Sequence, residues 1–369
     1  MELKFPKTEL ECLDRVLWNV KNEEQTQEVK LTDAMPDVGK VLGAWGQTMI
    51  RSKEWRGSGM GISGGIMAWV LYQPEDNSEP RSVETWIPFQ MRWEFPQTQR
   101  DGSMRVCCML RSVDARSTSA RKLMVRAVVS AAAEALEPVR KELCSPENVP
   151  EDVQLLRRSY PVQLPKEAGE KNFTFDEELS IPASCGQVRK LLFCTLQPEL
   201  VDRKVMGDKV VFRGGILLHG MVQCEDGSLK GVDFEVPFSQ YAELNREYDS
   251  YATTDVMLTN TGLEAELQED GKLRIKAGVV GQYVIYDQPV IEVVEDAYSV
   301  ARAVALQTQP LQLSAVLDTQ QQTLHVRKPV EADNGTVLDV AFHGGQPERH
   351  RAGRVRQPER WQLRRHGLS

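Results

Sequence analysis

The sequence predicts a mainly β protein built from tandem β-sandwich or barrel-like modules. Three observations carry this. The chain repeats itself at an offset of 150 residues, the repeated segments alternate apolar and polar residues, and Gly, Pro and acidic turn signals fall at matching places in both copies.

The repeat is dense enough to be read by eye. Residues 31–76 align with 181–226 without a gap, and eleven of these 46 positions are identical, where unrelated chains would share roughly three. Gly57 matches Gly207, Gly64-Gly65-Ile66 matches Gly214-Gly215-Ile216, and Gln73, Glu75 and Asp76 match Gln223, Glu225 and Asp226. One residue lost in the next turn moves the offset to 149, so that Val83, Pro88 and Phe89 meet Val232, Pro237 and Phe238. The offset then returns to 150, pairing Val106, Lys122-Leu123, Ala127 and Val129 with Val256, Lys272-Leu273, Ala277 and Val279. A first β module over 1–148 and a second over 149–300 follow, divided at the linker-like "CSPENVPED". A third copy starts over 318–342 and breaks off.

Within each module the elements read in order as follows. "PDVGKVLGAW" and "GQVRKLLFCT" each suggest one short helical turn. Residues 62–89 form a hairpin around "QPEDNSEP". In the second copy Ile216 to Cys224 is apolar at most positions, as in a strand buried on both sides, and "EDGS" then turns into a strand with Val232, Phe234, Val236 and Phe238 on one face. Pro237 cannot donate to a ladder, which places it at a strand end or sheet edge. Residues 119–140 alone read as an Ala- and Glu-rich helix. Their counterpart, 270–290, is rich in Val, Ile and Tyr, and homologous copies share a fold, so strands are expected in both.

Composition narrows function by exclusion. Hydrophobic content of 41% with 27% charged residues fits a globular chain, and a net charge of -8 gives most of it no electrostatic reason to seek nucleic acid. No apolar run is long enough to cross a bilayer, and the charged start "MELKFPKTELECLDRV" lacks a secretory signal pattern, which together imply a cytoplasmic chain without membrane insertion. Seven cysteines without a C-x-x-C pair fit neither a disulfide framework nor a zinc site and are expected to be buried thiols.

Two catalytic patterns overlap at "GSGMGISGG". Gly59, Gly61 and Gly64 satisfy G-x-G-x-x-G, but a strand rather than a helix follows. Gly61, Ser63 and Gly65 satisfy G-x-S-x-G, but Arg213 replaces Ser63 in the second copy, and the first 300 residues hold a single histidine, His219, at the position of Trp69. No catalytic, cofactor-binding or metal-binding residue is therefore assigned. The residues that recur are Gly57, Gly64, Gly65, Pro88, Phe89, Gly207, Gly214, Gly215, Pro237 and Phe238, which constitute a structural motif.

The last 27 residues, 343–369, hold seven arginines, two glutamates and three of the five histidines. The switch in composition is abrupt. It reads as a disordered basic arm able to touch nucleic acid or an acidic partner, and its position after a broken third copy suggests a frameshifted end.

The second copy best displays the whole pattern, as "GQVRKLL", "DKVVFRGGILLHGMVQCEDGS" and "VDFEVPFSQYAEL". It resembles the SPOCS domain of spore-coat morphogenetic proteins of the SipL and SpoVID type and of related clostridial tandem-domain proteins. The similarity covers cores at about 27–95 and 177–245. It implies a non-enzymatic, protein-binding role in endospore envelope or coat assembly, in the mother cell at the forespore surface, with other envelope proteins as partners and no cofactor. The LysM segment that ends many such proteins is not visible here. A carbohydrate- or wall-binding module using Trp45, Trp55, Trp69 and Trp86 is the alternative, and a hydrolase acting through Ser63 is a more remote one.

Overall fold

A computed structural model describes residues 7–98, 101–144, 149–301, 303 and 310–313. The third-copy segment 318–342 and the basic tail lie outside the described residues. What is described is almost wholly antiparallel β structure, in thirteen strands.

In the first half these are β1 (Lys7–Lys30), β2 (Val38–Trp55), β3 (Gly59–Pro74), β4 (Arg81–Glu94), β5 (Ser103–Ser119) and β6 (Lys122–Cys144). They form two three-stranded sheets, β1-β6-β5 and β2-β3-β4. Each sheet has an apolar face that must be covered, and the two faces meet in one core. Strand β4 shows the period of two plainly: Ile87, Phe89, Met91 and Trp93 are buried while Pro88, Gln90 and Arg92 face water. In β6 every second residue from Leu123 to Ala135 enters the same core. The helix-like composition of 119–140 is thus overridden. Its alanines lie on a central strand between β1 and β5, where small side chains let the opposite sheet approach.

The second half repeats the plan with β7 (Gln154–Pro161), β8 (Leu164–Ser180), β9 (Val188–Cys224), β10 (Leu229–Tyr248), β11 (Thr253–Leu267), β12 (Lys272–Asp287) and β13 (Val290–Tyr298). Strand β9 covers the counterparts of β2 and β3. It turns back on itself near Gly207, so that the Thr195 hydroxyl donates to the His219 carbonyl. Strands β7 and β8 together match β1, and β12 and β13 together match β6, with β8-β12-β11 and β7-β13 paired as their counterparts are. A second core forms around Phe173, Phe212 and Phe238. The two-sided apolar run 216–224 has its explanation here. Leu218 enters this core, while Met221 faces the other half of the chain.

The recurring residues meet in space. Gly64 is paired with Phe89 and Gly65 with Pro88, as Gly214 is with Phe238 and Gly215 with Pro237. A Cβ on Gly64 would run into the Met49 carbonyl and reach the Phe89 ring at 2.9 Å. On Gly214 it would run into the Glu199 carbonyl and reach the Phe238 ring at 2.9 Å. Glycine here lets a core phenylalanine lie across the backbone. Gly57 and Gly207 sit in the preceding turns with φ of +60° and +62°, a region costly for side chains with a Cβ. Asp76 and Asp226 each accept the backbone N–H two residues on, from Ser78 and Ser228, both at 2.9 Å, and these Asx turns begin the hairpin bends.

The short helical turns expected in "PDVGKVLGAW" and "GQVRKLLFCT" are not found. Both segments enter strands at Val38 and Val188, and the one helical turn among the described residues is the 3-10 turn Ala183–Cys185 just before. Gly39 approaches the Glu75 backbone so closely that a Cβ would lie 2.9 Å from its Cα, a contact made by pairing across to the end of β3. The prolines Pro88 and Pro237 lie on β4 and β10, each an outer strand of its sheet.

These contacts predict unequal glycine substitutions. Gly214→Ala should cost about 1–3 kcal/mol by overpacking. Gly262→Ala, where a Cβ meets nothing within 4 Å, should change stability by less than about 0.5 kcal/mol. Urea denaturation of both variants measures the difference.

Candidate functional site

The best-built feature among the described residues is the seam where the two halves meet. It starts from aromatic and aliphatic side chains on β2, β3 and β9: Trp45 stacks on Phe193 with ring centroids 4.5 Å apart, and Leu42, Leu71, Leu192 and Met221 pack around them. Backbone groups bordering the seam are satisfied by side chains across it. Gln47 Oε1 accepts the Leu196 N–H at 2.8 Å, and the Ser82 hydroxyl donates to the Leu192 carbonyl at 2.6 Å. Gln282 holds both backbone groups of Val106, accepting from N–H at 2.9 Å and donating to the carbonyl at 2.8 Å, and the Thr259 hydroxyl donates to that carbonyl at 2.7 Å.

Behind this lies a buried charge cluster. Arg105 on β5 is 1% exposed, Glu134 on β6 is 0% and Asp255 on β11 is 5%. The Arg105 guanidinium donates through Nε to Glu134 at 2.8 Å, also through Nη2 to the same carboxylate, and through Nη1 to Asp255 at 2.6 Å. Arg15 pairs with the other Glu134 oxygen at 2.6 Å, and Arg203 lies 3.9 Å from Asp255. Burial opposes the charge on Arg105, but Glu134 and Asp255 outweigh it and hold the guanidinium pKa above its ordinary value. Burial pushes the nearby Tyr286 hydroxyl up to about 12, so it stays neutral. The arrangement is an ionic lock between the halves, with Arg105 bonded to a carboxylate from each.

The sequence patterns that hinted at chemistry are distributed elsewhere. Ser63 faces Ser52 across β2 and β3, with the two hydroxyl oxygens 2.7 Å apart. His219, the one histidine among the described residues, bonds Asp233 through Nδ1 at 2.6 Å in the other half of the chain. No three His, Cys, Asp or Glu side chains are grouped to hold a metal ion among the described residues. The thiols of Cys12, Cys185, Cys194 and Cys224 are buried, and burial pushes Cys194 up to about 12. Trp45 lies in the seam, Trp55 packs on Phe95 with centroids 4.9 Å apart, Trp69 borders the seam, and Trp86 lies under the Arg51 guanidinium at 5.1 Å. The four therefore do not form a shared sugar platform.

The sequence reading missed Arg105, Glu134, Asp255 and Gln282, because charged or amide residues on an alternating strand read as a wet face. One signal was available: 105 and 255 are equivalent positions of the repeat and carry opposite charges.

Phe193→Ala should destabilise the chain by about 3–5 kcal/mol, the usual cost of emptying a buried aromatic site. Urea titration against the parent protein tests it. No helix of the described residues is long and apolar enough to cross a membrane. No family model, curated protein or solved structure matches the chain.

Proposed function

We propose that the chain is a non-catalytic interaction protein of two fused β modules, acting in endospore envelope or coat assembly with other envelope proteins as partners. The observation that carries the reading is where the repeated residues go. Gly64, Gly65, Pro88 and Phe89, and Gly214, Gly215, Pro237 and Phe238, meet one another inside hairpins rather than around a cavity. Selection has kept what the module needs to fold, and the side chains a catalyst would use, Ser63 and His219, differ between the copies. The likeness to SPOCS domains supplies the setting, the mother cell at the forespore surface.

Strand addition at an open edge is one mode by which β modules bind partners, but β4 and β10 each carry a proline, and Lys21 of β1 reaches over β4 to donate to the Arg92 carbonyl. Such features block edge pairing.

A fluorescent fusion expressed in the sporulating source organism should concentrate at the forespore surface. A diffuse pool throughout sporulation would remove this reading.

A further inference from the structure

We propose that the seam is a quasi-symmetric recognition surface, and that the Arg105–Asp255 pair makes it select a module of opposite axial charge over a second copy of itself. The partner that fits the first module is thus a module of the same fold with a carboxylate at the axial position, supplied in this chain by the second module.

The symmetry is read from equivalent residues meeting each other. Leu42 and Leu192 stand at one repeat position and share a cluster, and Leu71 and Met221 do the same. Leu136 and Tyr286, again equivalent, share another. Residue 105 contacts residue 255, its own counterpart. Contacts between equivalent positions occur only beside a two-fold axis, so the halves pair as the subunits of an isologous dimer do. In such a dimer of identical modules the axial residue faces itself. Two copies of the first module would bury Arg105 against Arg105, and two copies of the second would bury Asp255 against Asp255. At 1% and 5% exposure neither charge could escape into water. The mixed pair places opposite charges on the axis, and the like-charge pairs are the ones selected against. Glu134 binds Arg105 through one oxygen and Arg15 through the other, so two first modules would set four guanidinium groups against two carboxylates at the axis; Arg203, 30% exposed, lies 3.9 Å from Asp255 in its own half.

The experiment uses the full chain in two variants, Arg105→Glu and Asp255→Arg. Each places like charges across its own seam. Each alone is expected to run at one chain mass in light scattering, with faster amide exchange at 42–47 and 192–196 and unchanged protection in β3. Mixed in equal amounts they are expected to form a species of twice the chain mass with seam protection restored. In that species the first module of each chain docks on the second module of the other, and both seams carry opposite charges. A mixture that stays at one chain mass, or single variants that reach twice the mass unaided, would overturn the proposal. If the single variants also lose protection in β3, the mixture still decides, because complementary chains are expected to regain it together and failure to do so counts against the idea. The neutral double variant Arg105→Leu with Asp255→Leu should remain one chain with a closed seam and should not pair with either charge variant. An open seam there, or pairing as strong as between the charge variants, would equally refute selection by charge.

Discussion

A guanidinium removed from water must be paired on every side, and Arg105 meets that demand only when both halves of the chain are in place. Glu134 comes from its own sheet and Asp255 from the other module. Removing one partner of such a pair leaves a buried charge and costs about 3–5 kcal/mol. The ionic lock therefore fixes how the two sandwiches sit. The apolar seam alone, Trp45 on Phe193 with its leucine neighbours, is non-directional and would tolerate sliding. The charge cluster and the amide of Gln282 admit one register.

Inside each sandwich the constraint is a different one. The hairpin of β3 and β4 must let a phenylalanine of one strand lie over the backbone of the other, and only glycine leaves room for Phe89 and Phe238. The neighbouring glycines show how narrow that requirement is. Gly65 faces the Trp86 ring and Gly215 faces the flexible Glu235 side chain, at equivalent positions. Gly64 and Gly214 are thus required by backbone and ring together, whereas Gly215 has a neighbour that could yield.

Most of the fold was legible because it is written twice. The strand identity of 122–144 could not be read from its own alanines and glutamates, and came from the Val- and Tyr-rich counterpart 272–287. The turns were legible because Asp76 and Asp226 act locally, on an N–H two residues away. The beginning of β2 is not legible as a strand locally, since Gly39 and Lys40 interrupt the apolar residues at 38–42 and the pairing that makes them a strand comes from 71–74. The seam was illegible for a related reason. Arg105 and Glu134 look like solvated positions on alternating strands, and nothing local says that the other module will cover them.

What the copies share and where they differ sort by physical task. The shared hairpin residues Gly64, Phe89, Gly214 and Phe238 solve a problem internal to one module, which both copies face in the same form. Residues at the seam differ between the copies: Gly43 corresponds to Phe193, Trp69 to His219, Ala132 to Gln282 and Arg105 to Asp255. Identical modules meeting about a two-fold axis can place only like beside like on that axis. Once the two modules are joined in one chain, each side can change separately. An acid can then answer a base. Divergence of the two copies is thus the physical precondition for a buried ion pair at this position.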